Sequence, residues 1–131
     1  MTATHQDLGT RVCHVDDIEV EGGVVALVGG RAVAVFRTHA GAVHALGNYD
    51  PVGRASVLSR GIVGTRNVGG VDVPFVASPL HKQAYDLRTG RCLDVATDDD
   101  VRVPTYAVTI DADGGVHVGA EERHGSAEHE S

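Results

Sequence analysis

Ser78-Pro79-Leu80-His81-Lys82-Gln83-Ala84-Tyr85-Asp86-Leu87-Arg88-Thr89-Gly90-Arg91-Cys92 is the stretch on which the fold turns. It opens as a polar loop, runs into a short strand expected at 84–87, and closes on a Thr89-Gly90 turn. Outward from it the same pattern recurs. β-branched segments alternate with Gly and Asp clusters, and 3.6-residue periodicity is never sustained beyond a turn or two. Segments 24–28 and 32–37 flank Gly29-Gly30, a two-residue linker of the kind primed hairpin turns prefer. The second run turns at His39-Ala40-Gly41 into 43–46, which completes a three-stranded meander. Further strands are expected at 62–65, 73–77, 106–110 and 116–118, the last two joined by Asp111-Ala112-Asp113-Gly114-Gly115. A short helical turn is expected after His14, with Asp16 and Asp17 capping the backbone before Ile18. Residues 49–61 are the least strand-like and are expected to form an ordered loop. The reading is an all-β domain of short antiparallel strands, without internal repeats.

A chain of 131 residues can close a single core, and 17 glycines with few aromatics suit short strands and tight turns. Residues 1–10 are expected to be a flexible N-terminus, 11–119 the β-domain, and 120–131 a disordered polar tail in which His124 and His129 are solvated. The longest apolar runs, such as Val24-Val25-Ala26-Leu27-Val28, fall far short of the ~20 residues a membrane-spanning helix needs. No basic cluster followed by a hydrophobic stretch marks the N-terminus, so the cytoplasm is the expected compartment. Cys13 and Cys92 sit in no metal or redox spacing and are expected to be reduced, packed thiols.

A formal net charge of −7 argues against nucleic acid as a partner, because a phosphate backbone requires a basic surface. The charge is uneven. Residues 51–93 carry Arg54, Arg60, Arg66, Lys82, Arg88 and Arg91 against only Asp72 and Asp86. That window is read either as a solvated mixed surface or as a docking patch for an acidic partner. No glycine-rich nucleotide loop follows a strand, and Ser56, Ser59 and Ser78 lack the context of a nucleophile. No catalytic residue is expected in this chain.

The opening stretch resembles the second ligand loop of Rieske iron-sulfur proteins, which reads Cys-Pro-x-His and runs into an aromatic-Asp-Leu-x-Thr-Gly strand and turn. Ala45-Leu46-Gly47-Asn48-Tyr49-Asp50-Pro51-Val52-Gly53 resembles the first loop, Cys-x-His followed by Gly. A Rieske-like antiparallel β-sandwich is the fold this resemblance implies. Rieske centres hold a 2Fe-2S cluster by two thiolates and two imidazoles. Carried over by position, Asp50 and Ser78 stand where the cysteines would be and Val52 where one histidine would be; only His81 is retained. The resemblance therefore implies a cluster-less relative with no cofactor of its own. His81 is expected to be hydrogen-bonded within a loop that kept its shape, the other readings being a residual ligand or a residue facing the partner.

Loss of the ligands with retention of the frame resembles one Rieske-like family, the small subunit of NAD(P)H nitrite reductase. Asn48-Tyr49-Asp50-Pro51, Leu58-Ser59-Arg60-Gly61-Ile62-Val63-Gly64, Ala77-Ser78-Pro79-Leu80 and Asp86-Leu87-Arg88-Thr89-Gly90-Arg91-Cys92-Leu93 carry that likeness. It implies a holoenzyme that reduces nitrite to ammonium, with NAD(P)H, FAD, an iron-sulfur cluster and sirohaem all on the large subunit. The chain would then act by binding that subunit, with Arg54, Arg60, Lys82, Arg88 and Arg91 as candidate docking residues. The alternatives are a Rieske-type ferredoxin that carries electrons, which would need all four ligands, and a cluster-less β interaction module unrelated to nitrite.

Overall fold

The computed structural model describes residues 9–80, 82–94 and 101–122. The strands are β1 (Thr10–His14), β2 (Gly22–Val28), β3 (Arg31–Arg37), β4 (Val43–Gly47), β5 (Tyr49–Asp50), β6 (Ala55–Ser56), β7 (Ile62–Val68), β8 (Val71–Ala77), β9 (Ala84–Asp86), β10 (Thr105–Ile110) and β11 (Gly115–Glu122). One-turn 3-10 helices occupy Val15–Asp17 and Leu58–Arg60. β1-β11-β10-β4-β3-β2 form an antiparallel six-stranded sheet, β7-β8-β9 a second sheet, and β5-β6 a two-residue ribbon.

The expected meander is β2-β3-β4, with Val24 opposite Val35 and Ala34 opposite Leu46. Gly29 and Gly30 both take left-handed φ values, 59° and 82°, which is the conformation of a type I′ turn. The next hairpin is longer than the expected 62–65 and 73–77 strands, because Asn67 pairs with Asp72 and Val68 with Val71 around a second glycine pair.

β3 explains why one apolar run holds the domain together. Side chains on a strand alternate between faces, and here both faces are covered. Ala34 and Phe36 join Leu46, Leu58, Val76, Tyr85 and Leu87 in a core between the large sheet and the β7-β8-β9 sheet. Val33 and Val35 join Ile18, Ala45, Tyr106, Val116 and Val118 in a second core on the other face. Each fully buried Val, Leu, Ile or Phe side chain among them stabilises the fold by about 1.5–3 kcal/mol relative to leaving it exposed.

Three elements differ from the sequence reading. β1 was not expected; a register shift between Arg11 and Cys13 breaks its alternation, so Val12 and Cys13 both pack toward the second core. β11 runs on to Glu122, beyond the expected boundary at 119, since Glu121 and Glu122 pair with Tyr106 and Thr105. The 49–61 segment is a loop that contains the β5-β6 ribbon and the Leu58–Arg60 turn. The turn after His14 is present, but its cap is the histidine itself: Nδ1 accepts from the Asp16 amide, while Asp17 Oδ2 accepts from the His14 amide. His124 and His129 lie outside the described residues.

Candidate functional site

β5 delivers Asp50 and the end of β8 delivers Ser78 into two loops of the same design. In the first, the Asp50 carbonyl accepts from the Arg54 amide at 2.6 Å, and Asp50 Oδ1 accepts from the Val52 amide at 3.0 Å. In the second, the Ser78 carbonyl accepts from the Lys82 amide at 3.0 Å, and Ser78 Oγ accepts from the Leu80 amide at 3.2 Å. A proline follows the first residue of each loop. Each ends on a cationic residue held in the left-handed region, Arg54 at φ 61° and Lys82 at φ 63°. The left-handed conformation costs about 1–2 kcal/mol for a residue with a Cβ.

The loops meet through one side chain. Ser78 Oγ donates to Asp50 Oδ2 at 2.5 Å, and the Tyr85 hydroxyl on β9 donates to Asp50 Oδ1 at 2.7 Å. Asp50 and Tyr85 are fully buried and Ser78 almost so. Burial by itself raises a carboxyl group's pKa. Here the hydrogen bonds from Ser78 and Tyr85, with those from the Gly53 and Val52 amides, outweigh it and hold Asp50 below the ordinary carboxylate range. Burial first, then the bond to Asp50 and its charge, drives the Tyr85 phenol far above its ordinary value, so it remains a proton donor. Gly53 lets the loops close: a Cβ there would stand 2.6 Å from Asp50 Oδ2 and 2.7 Å from Leu80 Cδ1.

The donor set does not fit a 2Fe-2S cluster. The two cysteine positions hold oxygen donors already bonded to one another, and Val52 has no donor atom. Carboxylate and hydroxyl oxygens are poor replacements for thiolates on iron and sulfide. Among the described residues no cluster of three His, Cys, Asp or Glu side chains is placed to hold a metal. Cys92 packs in the core beside Tyr85, outside both loops, and both it and Cys13 are free thiols. His81 lies outside the described residues.

The structure divides the candidate docking cations. Arg54 and Lys82 end the two joined loops and are exposed. Arg60 ends the 3-10 turn two residues before Ile62, which pairs with Ala77, so it belongs to the same end of the β7-β8-β9 sheet. Arg88 and Arg91 lie past the other end of β9. Arg88 is clamped by Asp86, with Nε on Oδ1 at 3.0 Å and Nη2 on Oδ2 at 2.9 Å. Burial of Asp86 opposes its ionisation, but the Arg88 side chain and amide prevail and lower its pKa. Arg66 is likewise paired, with Asp94 at 2.9 Å. Tyr85 is the member of the site that sequence reasoning missed; its one signal was the aromatic position before Asp86-Leu87, at which no hydroxyl role was read.

Residues 10–119 match the family described as Rieske-like [2Fe-2S] domain. The chain is 40% identical over 100 residues to the NADH nitrite reductase small subunit of Escherichia coli K12, covering 76% of this chain and 86% of that protein. It superposes on the crystal structure of the putative NADH-dependent nitrite reductase small subunit from Mycobacterium tuberculosis with a TM-score of 0.73 and 41% identity, covering 88% of this chain and 95% of that one. A stretch of 83 residues, 63% of this chain, is 43% identical to the NAD(P)H nitrite reductase large subunit of Klebsiella oxytoca, where it makes up 8% of the length. With a domain match along nearly all of its described length and small subunits of one enzyme among its near relatives, this chain belongs to the Rieske-like domain family, in the branch of the nitrite reductase small subunits.

Proposed function

We propose that this chain is the non-redox small subunit of a cytoplasmic NAD(P)H nitrite reductase, and that it serves the reduction of nitrite to ammonium by binding the large subunit. The observation that carries the reading is Asp50: at the place of the first cysteine stands a buried carboxylate bonded to the residue at the place of the second. The loops are thus joined by hydrogen bonds and have no thiolate to offer iron, so electrons travel elsewhere. FAD, the iron-sulfur cluster and sirohaem belong to the large subunit in this reading. The Klebsiella oxytoca match supports the choice of partner, because a region similar to this chain there forms part of a protein named as the large subunit. The docking face is the end of the domain that carries Arg54, Arg60 and Lys82.

Two measurements on material purified without oxygen test this. Iron and acid-labile sulfide are expected at far below one equivalent, with no visible absorption; stoichiometric amounts and a Rieske-type paramagnetic signal on reduction would overturn the non-redox role. The large subunit is expected to co-purify with the tagged chain. Its absence under gentle conditions would leave an unrelated β interaction module as the better reading.

A further inference from the structure

We infer that Asp50 is a positioning residue for partner recognition: its bonds to Ser78 and Tyr85 lock the two loops into one edge, on which Arg54 and Lys82 form the paired cations that an acidic patch of the large subunit binds. The inference rests on the docking role proposed above and adds to it the device that shapes the docking surface.

Four observations lead there. The loops repeat one another in hydrogen bonding, in the proline after their first residue and in their terminal cation, and a single carboxylate spans them. That carboxylate has no ion-pair partner among the described residues and is satisfied entirely by hydroxyl and amide donors; a packing role alone would be met more cheaply by an apolar residue. Both terminal cations are held in a backbone conformation that glycine or asparagine would adopt with less strain, and strain that a fold retains concentrates at functional surfaces. Finally, Ile62 is 74% exposed and Leu80 46% exposed at this same end, beside Arg60 and Lys82, so apolar side chains lie among cations as in a protein interface.

Charge selects the partner's chemistry. The chain as a whole carries −7, so an acidic surface is repelled from most directions and admitted at this end, which orients the encounter.

The test uses the full chain and its purified cognate large subunit, with affinity measured by calorimetry and backbone amide exchange measured by NMR on the free chain. Asp50→Asn keeps the shape and removes the charge. It is expected to speed exchange at the Arg54 and Lys82 amides at least tenfold, to leave β3 amides unchanged, and to weaken binding at least tenfold. The Arg54→Glu, Lys82→Glu double variant is expected to weaken binding as much without altering exchange. Normal binding by the double variant would refute the docking reading itself. Weakened binding by the double variant with unchanged binding, or unchanged exchange, in Asp50→Asn would leave docking standing and overturn the lock. Should Asp50→Asn fail to fold, Tyr85→Phe removes one donor and keeps the ring. It is then expected to show both effects at about threefold; their absence counts equally against the lock.

Discussion

A Cβ on Gly90 would stand 1.9 Å from the carbonyl oxygen of Val103, and Gly90 also has a φ of 79°. The Val103 amide bonds to the Gly90 carbonyl at 2.8 Å, so the Thr89-Gly90 turn is clamped against the chain entering β10. Gly90→Ala therefore meets a clash and an unfavourable conformation together and is expected to cost about 3 kcal/mol or more. Gly30, with a φ of 82°, has open space around it. Gly30→Asn is expected to stay within about 0.5 kcal/mol of the parent. Urea denaturation of both variants checks the contrast.

Replacing Asp50 by Leu leaves the Ser78 and Tyr85 hydroxyls buried without their acceptor. Two unsatisfied groups at about 1–3 kcal/mol each predict a loss of about 2–6 kcal/mol. Tyr85→Phe removes one donor to a carboxylate that keeps its others, and about 1.5–3 kcal/mol is expected. A larger loss from Tyr85→Phe than from Asp50→Leu in chemical denaturation would contradict the arrangement.

Asp111 takes hydrogen bonds from His117 and from the Gly115 amide, which hold its carboxyl at about 2. In the unfolded chain an aspartate titrates near ~3.9. As pH falls, the unfolded chain therefore takes up this proton first, so the stabilisation is complete above about pH 4 and is lost on descent toward pH 2. The lowered carboxyls of Asp50, Asp86 and Asp94 act in the same sense. The Asp111→Asn variant is expected to show a shallower fall in unfolding free energy between pH 4 and pH 2, measured by urea titration at each pH; an unchanged slope would count against the pairing.

Arg88 looks in the sequence like one more docking cation, but Asp86 already holds its guanidinium at two points. Arg88→Met is expected to reduce stability by about 1 kcal/mol, a modest figure because the arginine is half exposed and its pairing is screened by water. Affinity for the large subunit is expected to change less than threefold. A tenfold loss would place the docking surface at the opposite end of β9.

What could be read in advance was local. The unbroken apolar run of β3 and the glycine pairs at its hairpin and the next signal their conformation within a few residues. The replacement of ligand-type residues at Asp50, Val52 and Ser78 is likewise a matter of position in the chain. What could not be read was set by distant neighbours. β1 escaped because a bulge between Arg11 and Cys13 destroys the period of two, and Glu121 and Glu122 look like a polar tail although they pair with β10. The bond from Tyr85 to Asp50 joins residues 35 apart and leaves no trace in either neighbourhood. Arg88 and Arg54 are equal as letters; only the fold reveals that one is spoken for by Asp86.

The union of the two loops through hydroxyl and carboxylate oxygens bears on how the molecule comes into being. Such a joint assembles when the polypeptide itself folds, with no iron to be delivered and no sulfide to be inserted. Molecular oxygen has nothing there to oxidise. On the non-redox reading proposed above, maturation of this chain is expected to be independent of iron supply.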